Sequence, residues 1–529
     1  MTRFFNTTGP CDPQRHYMLP PSDRLIGAQL NRYIQDELYW VLHAPRQTGK
    51  TTFLQNWMRE INAGNDAIAC YVNIERCQGL GDIERAMPAA CEAIREFSRK
   101  ALHEEYVPQI PSTSPASMLS EMLTNWAEIV APKPLIVLFD EVDVLRDQSM
   151  ISFLRQLRSG FATRGVGKFP VSAALVGMRD LRDYLIHSKD GVAINPGSPF
   201  NIKQDSVSLN NFSRTDVAKL LTLHTDETGQ QFEPASIELV YELTIGQPWL
   251  VNAMAQKCVW NLAPQESREP VSVDHVRRAK ELLIRDRATH LDSLAERLKD
   301  AQVRRVIEAV MIGKTDSTIG RADRDVELCT DLGLLRWDDG LRIANPIYQE
   351  IITRELSQNY QDNVPSPEFA WRRPDGTLDM ISLLKNFQAF WRRNSDTWEQ
   401  KADYTEAFPH LLLMAFLQRI INGGGRIDRE YAAGRGRIDL SIEFGGAWSI
   451  IEIKLVHPQD GREITIENGI KQIAAYRDRI DPRADAFLIV FDRRPEARGR
   501  SWEERLTWET FPSPALYGQS DGTITVIGA

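Results

Sequence analysis

"YWVLHAPRQTGKTTFLQNWM", residues 39–58, runs from a wholly apolar strand through a short polar turn into the start of a helix. Gly49-Lys50-Thr51 stands at the junction. A turn of this kind lets backbone N–H groups converge on phosphate oxygens, adds a lysine for the outer phosphates, and supplies a hydroxyl for a divalent cation. The contacts expected from it are Pro45, Arg46, Gln47, Thr48, Gly49, Lys50, Thr51 and Thr52. One position departs from the pattern GxxxxGK[ST], because Ala44 stands where the first glycine would be. Alanine tolerates positive φ poorly, so the loop must open with an ordinary backbone conformation.

Working outward, residues 38–200 alternate apolar runs ("YWVLHA", "IACYVNIE", "PLIVLFDE", "VSAALVGM") with helical stretches, the pattern of a parallel α/β sheet. The run "KPLIVLFDEVDVL" ends in Asp140-Glu141, as expected at the carboxyl edge of a buried parallel strand. Asp140 is expected to hold Mg²⁺ together with Thr51, Glu141 to polarise an attacking water, and Arg179, after "VSAALVGM", to sense a terminal phosphate. Residues 208–290 change to helices only, and 300–356 combine short helices with a two-strand wing. The polar, proline-bearing "SQNYQDNVPSPEFAWRRPDG" reads as a linker. The resulting divisions are an N-terminal arm (1–24), an α/β core (25–207), a helical lid (208–297), a winged-helix-like module (298–356), a linker region (357–394) and a C-terminal domain (395–529).

A chain of 529 residues, 42% apolar and 26% charged, is too long for one core. A net charge of -9 argues against coating nucleic acid by bulk electrostatics but leaves room for a local basic groove. Six scattered cysteines without a close CxxC pair suit neither a zinc site nor a disulfide framework, and a reducing cytoplasm is the simplest expectation. No apolar run approaches the length that spans a bilayer, so no membrane partner is expected.

The arm "FFNTTGPCDPQRHYMLPP", the loop "APRQTGKTT", the "DEVD" strand end, "SPFNI", "GQPWLVN" and "ANPIY" together resemble bacterial AAA-like P-loop ATPases allied to the archaeal-ATPase and STAND group, over residues 3–356. The resemblance implies ATP and one Mg²⁺ as cofactors and a core with an additional strand and a catalytic glutamate. It also implies a lid carrying the turn Gly246-Gln247-Pro248, and a winged helix. It makes His16 and Tyr17 candidates to line the base, although pinning the proline-rich arm is the simpler role for both.

The stretch "GRGRIDLSIEFGGAWSIIEIK", residues 434–454, poses a separate problem. Gly445-Gly446 suits a two-residue hairpin turn, and with Phe444 across from Ala447 the ladder sets Asp439 opposite Glu452. Like charges facing each other on one sheet face are destabilising unless a divalent cation lies between them. Asp439, Glu452 and Lys454 share one face, while Ile438, Leu440, Ile442, Ile451 and Ile453 take the other. The spacing Asp-x12-Glu-x-Lys, with Glu406 on a preceding helix and Gln472 and Tyr476 four apart on a following one, resembles the PD-(D/E)XK nuclease superfamily over residues 403–492. That resemblance implies a C-terminal α/β restriction-endonuclease-like domain with one or two Mg²⁺ held by Asp439 and Glu452. Lys454 would be catalytic, Glu406 or Glu430 would add a carboxylate, and Gln472 and Tyr476 would be accessory. Arg435 and Arg437 are candidates to contact the scissile phosphate.

The expectation is thus an ATP-hydrolysing protein coupled to a Mg²⁺-dependent phosphodiesterase, with nucleic acid as partner, DNA before RNA. By analogy with such fusions, bacterial defence or mobile-element processing would be its setting. The alternative is a nucleotide-switched scaffold whose C-terminal domain binds nucleic acid or a partner without cutting. Homo-oligomers are compatible with either reading, and the sequence does not set the oligomeric state.

Overall fold

The computed structural model describes residues 3–25, 29–164, 168–178, 203–264, 268–286, 291, 294, 296–311, 323–338, 340–361, 373–399, 413, 416–417, 426–431, 438–456, 461–492, 494–514 and 522–529. Two compact units form. The first takes Met1–His290 with Thr330–Leu334 and Asn345–Ile347, and the second takes Leu291–Cys329, Leu335–Ala344 and Tyr348–Ala529.

In the first unit, strands β1 (Tyr39–His43), β2 (Ile68–Asn73), β3 (Leu135–Asp140), β4 (Ser172–Gly177) and β5 (Lys203–Ser208) form one parallel sheet in the order β2-β3-β4-β1-β5. Strand β4 is therefore inserted between the strand that feeds the loop and the strand that ends in Asp140. Both faces are covered, which explains why β1 and β3 read as continuous apolar runs. Tyr39 and Val41 pack into a core with α3 (Ile83–Ala101), α4 (Pro115–Val130) and α5 (Asp147–Thr163). Trp40 and Leu42 point the other way, into a core with α1 (Leu30–Gln35) and α2 (Lys50–Gly64). There Trp40 meets Trp57 edge-on at 5.7 Å between ring centroids.

The lid is helical, as the sequence requires, in the segments Arg214–Thr228, Pro234–Thr244, Pro248–Lys257 and Val273–Arg285. Ser213 and Asp216 form a reciprocal capping box at the first of these, and Gln247 caps the Pro248 helix by accepting from the Leu250 N–H. Gly246 sits at φ +68° with its Cβ position 1.8 Å from the Phe212 carbonyl oxygen, so no side chain fits there.

In the second unit, helix Ala301–Met311 packs on β7 (Gly340–Ile343), which pairs antiparallel with β6 (Leu335–Asp338). These are the elements expected of the 298–356 module. A six-stranded sheet follows, ordered β12-β13-β11-β10-β9-β8, from β8 (Arg426–Tyr431), β9 (Ile438–Phe444), β10 (Ala447–Val456), β11 (Asp485–Asp492), β12 (Trp508–Pro512) and β13 (Thr523–Gly528). Strands β8, β9 and β10 form an antiparallel meander, and helix Gly461–Ile480 then crosses to β11, which runs parallel to β10. Gly445 and Gly446 make the two-residue turn with φ of +61° and +79°, as the hairpin reading expects.

The linker assignment of 357–394 is corrected by helix Met380–Glu399. Met380, Leu383, Leu384, Phe387, Phe390 and Trp391 recur at helical spacing and are all buried, and Trp391 meets Phe491 of β11 at 4.9 Å between centroids. The polar and proline-bearing residues just upstream mask this apolar stripe in the sequence. Of the helix expected to carry Glu406 before the hairpin, read from "DYTEAFPHLLLMAFLQRIING" (403–423), Leu413, Phe416 and Leu417 are described, and they are helical and buried.

Replacing Gly246 by alanine is expected to cost about 2 kcal/mol or more in the unfolding transition that includes the lid, through a clash with Phe212 and forced positive φ. A urea titration read by tryptophan fluorescence measures it, and an unchanged midpoint contradicts the close approach.

Candidate functional sites

The loop between β1 and α2 lies at the carboxyl edge of the parallel sheet, where β3 also ends. Ala44 is buried and keeps φ out of the positive range, so the loop opens as an alanine allows. The left-handed positions fall later, at Gln47 (φ +58°) and Gly49 (φ +97°). Lys50 begins α2 and is 7% exposed, with its Nζ donating to the carbonyls of Ala44 at 2.7 Å and Pro45 at 3.0 Å. Burial lowers its proton affinity, against the opposing charges of Asp140, Glu141 and Asp143.

Asp140 is 1% exposed and receives three hydrogen bonds: from the Thr51 hydroxyl at 2.7 Å, from the Tyr71 hydroxyl at 3.1 Å, and from the Glu141 N–H at 3.0 Å. Burial raises its pKa while these donors and Lys50 oppose the rise. Glu141 sits in the left-handed region (φ +57°) and its pKa is raised, first by burial and then by Asp143 and Asp140. Asp143 accepts from the Met178 N–H at 3.2 Å, tying the acidic end of β3 to the end of β4.

A cavity of about 410 Å³ opens over these groups. Its floor includes Arg46, Gln47, Gly49, Lys50, Thr51 and Thr52, and Glu141 faces it. Pro45 and Thr48 serve the loop itself, the Thr48 hydroxyl donating to the Pro45 carbonyl at 2.8 Å. Arg179 lies outside the described residues.

Other walls were not anticipated. Asn6, Thr7 and Cys11 of the arm, Glu75 beyond β2, and Trp249 and Asn252 of the lid also line the cavity. The arm is fastened to both sides: the Cys11 N–H donates to the Thr52 hydroxyl at 3.0 Å, and the Trp249 indole N–H donates to the Thr7 carbonyl at 2.8 Å. The lid turn also reaches the loop, where the Gln247 amide donates to the Gln47 carbonyl at 3.4 Å. His16 and Tyr17 do not line the cavity. The His16 Nδ1 accepts from the Asp12 N–H at 2.8 Å, and Tyr17 is buried against Phe5 and His224, so both pin the arm. The quoted arm motif pointed to the right segment, but the lining residues precede the aromatic pair.

Thr51 and Asp140 offer an adjacent hydroxyl and carboxylate, an oxygen-only set that suits a hard cation such as Mg²⁺. With the N–H groups of α2 and the Lys50 ammonium, the cavity has the parts that hold a polyphosphate.

The second candidate lies in the six-stranded sheet. The register pairs Phe444 with Ala447 and continues to Leu440 with Ile451, so Asp439 and Glu452 occupy the next rung of the same alignment. On the other side Glu430 of β8 is the partner of Asp439. The three acidic positions therefore fall in one transverse row across β8, β9 and β10. Glu452 is fully buried and Lys454 is 3% exposed. The Lys454 ammonium donates to both the Glu452 carboxylate and the Gln472 side-chain carbonyl of helix Gly461–Ile480. That helix covers this side of β10, packing Ile466, Ile473 and Ala474 with Ile450 and Val456.

The charged positions of β10 are thus enclosed, in contrast to a solvated hairpin face. The side chains of Glu430, Asp439 and Tyr476, and residues Glu406, Arg435 and Arg437, lie outside the described residues. Among the described residues no cluster of three metal-binding side chains occurs, and no helix is long and apolar enough to cross a membrane.

No protein-family model matches the chain, and no curated protein does. Among solved structures, a Walker-type ATPase of Pyrococcus abyssi is similar at 15% identity, over 66% of this chain and 99% of that one, with a TM-score of 0.46. The Aeropyrum pernix Orc1 protein in complex with DNA aligns at 15% identity over 61% of this chain and 87% of its own, with a TM-score of 0.33. The Thermotoga maritima RuvB Holliday-junction branch-migration motor aligns at 12% identity over 61% and 91%, with a TM-score of 0.34. At these levels the functional reading rests on the geometry of the sites themselves.

Removing Glu452 strands a buried ammonium, so Glu452→Ala is expected to destabilise the second unit by about 3–5 kcal/mol. Adding Lys454→Met to that variant should restore most of the loss. A double-mutant cycle from denaturant unfolding tests this, and additive losses would contradict the pairing.

Proposed function

We propose that the chain hydrolyses ATP with Mg²⁺ in its first unit and cleaves phosphodiester bonds with Mg²⁺ in its second, with DNA as the substrate. The observation that carries the first half is the convergence of Lys50, Thr51 and Asp140 at the head of α2 beneath a cavity of ligand size. Thr51 and Asp140 would hold the metal, which neutralises charge on the phosphates when bound. Lys50 and the N–H groups of the loop bind and orient the outer phosphates, and Glu141 takes the proton of the attacking water. Arg179 is assigned the sensing of the terminal phosphate.

Lys50→Ala is expected to lower ATP turnover by about a hundredfold or more. Glu141→Gln is expected to bind ATP without turning it over. Because burial and Asp143 raise the Glu141 pKa, its ionised form is lost on acidification sooner than that of an ordinary carboxylate. The acid limb of the rate profile should accordingly lie above the usual glutamate range. Unchanged turnover in Glu141→Gln would place water activation elsewhere.

The second half is supported by the row of Glu430, Asp439 and Glu452 and by Lys454 held between Glu452 and Gln472. Carboxylates in one row suit a divalent cation, and an ammonium beside them can stabilise charge on a phosphate under attack. The order of elements, a three-strand meander followed by a crossover helix and a parallel strand, supports the restriction-endonuclease-like assignment. Glu406 or Glu430 supplies the further carboxylate, and the row favours Glu430. Gln472 orients Lys454, Tyr476 is accessory, and Arg435 and Arg437 contact the substrate phosphates. The 298–356 module is assigned as a winged helix giving a second contact to duplex DNA, and bacterial defence or mobile-element processing is the proposed setting.

Incubating the chain with linear and supercoiled DNA, with and without ATP, tests the assignment. Cleavage should require Mg²⁺, stop with EDTA and be lost in Glu452→Gln, which keeps the volume of the side chain. Retained binding without cleavage under every condition would move the reading to a nucleotide-switched scaffold.

A further inference from the structure

Among the described residues, a buried cation behind the phosphate loop has no carboxylate partner. Arg24 closes the short turn Pro21–Arg24 and is 8% exposed. Its Nη1 donates to the Thr48 carbonyl at 2.8 Å and to the Asn210 carbonyl at 3.0 Å, and the guanidinium lies 4.9 Å from the centre of the Phe212 ring. Its Nη2 is 2.8 Å from the position a Cβ on Gly49 would take. All of these neighbours are neutral. Among the described residues no carboxylate stands within ion-pair distance of the guanidinium, and Asp216, whose charge reaches it, is engaged by Ser213 in the cap of the lid's first helix. Burial lowers the Arg24 pKa to about 10.

An unpaired buried guanidinium is costly, and an arginine survives there only where something offsets the charge. The groups it touches narrow the source. Thr48 and Gly49 belong to the loop, and Gly49 immediately precedes the first helical N–H groups on the cavity floor. We propose that the missing counter-charge is the polyphosphate of the nucleotide, which makes Arg24 a positioning residue that favours triphosphate over diphosphate and monophosphate. The inference rests on the nucleotide reading of the cavity. Arg24 does not line the cavity and acts through the loop it holds, by its field and by fixing the Thr48 carbonyl. The same guanidinium holds Asn210 at the root of the lid, whose Phe212 N–H donates to the Gly246 carbonyl at 2.8 Å. Phosphate occupancy is thereby felt where the lid begins.

The test measures affinities of the full chain for ATP, ADP and AMP without Mg²⁺, by calorimetry or competition, in the wild type, Arg24→Gln and Arg24→Lys. Arg24→Gln keeps a donor for Thr48 and removes the charge. It should lose about tenfold in ATP affinity, less for ADP and nothing for AMP, while its ligand-free form melts no lower than the wild type. Arg24→Lys should keep most of the preference for ATP over ADP. Equal losses for all three nucleotides, or lower melting of ligand-free Arg24→Gln with an unchanged ATP-to-ADP ratio, overturn the proposal and leave a structural strut. A wild type that binds none of the three overturns the nucleotide reading itself, and that result is obtained before any variant is compared.

Discussion

The burial of one ammonium group organises the first unit. Lys50 can lie 7% exposed only because two loop carbonyls accept its protons and three carboxylates stand near enough to offset its charge. Those carboxylates belong to residues 140–143, about ninety positions away, so the sheet must bring the end of β3 to the head of α2. The order β2-β3-β4-β1-β5 does this across β4, and Asp143 is bonded to the backbone just beyond β4. The aromatic cluster of Trp40, Phe53 and Trp57 then fixes α2 against β1, so that the loop between them has little freedom.

The second unit meets the same problem with different parts. Strand β10 is buried on both sides, yet carries Glu452 and Lys454. A charged pair in such a place gains little net stability, because desolvation offsets the attraction. Its presence therefore needs another reason, and helix Gly461–Ile480 gives one by adding Gln472 as a second acceptor that fixes where the ammonium sits. Orientation is what such a triad provides; an apolar pair would fill the same space with better packing.

How much of this was legible in the sequence follows from the range of each signal. The loop, the Asp140-Glu141 strand end, the lid helices and the Gly445-Gly446 register are local, and they read correctly from a few adjacent residues. What was missed depends on contacts between distant segments. The arm residues Asn6, Thr7 and Cys11 become cavity walls only because Trp249 and Thr52 hold them there. Helix Met380–Glu399 was hidden by its polar approach, though its apolar spacing was present. Strands β8 and β12 escaped because short edge segments carry weak alternation, β13 escaped as a short run between β12 and β11, and Glu430 gains meaning only once β8 pairs with β9. The burial of Glu452 and Lys454 was equally invisible, since a charged strand face gives no sign of what covers it.

Left-handed backbone occurs at the loop, the acidic strand end and the lid turn, as it does at several positions elsewhere among the described residues. Among the positive-φ residues other than glycine are Gln47, Glu141 and Ile245, which flank or face the cavity or precede the Gly246 turn. Each such position costs on the order of 1–3 kcal/mol and persists only where its surroundings hold it. At Glu141 the reason can be read from the geometry. An extended strand sends successive side chains to opposite faces, so Asp140 and Glu141 could not both serve one site if β3 simply continued. The left-handed turn at Glu141 breaks that alternation directly after Asp140, with Asp140 bonded to Thr51 and Glu141 lining the cavity. The strain thus gives two adjacent carboxylates at one strand end different environments, one bonded to a residue of the cavity floor and one facing the cavity itself.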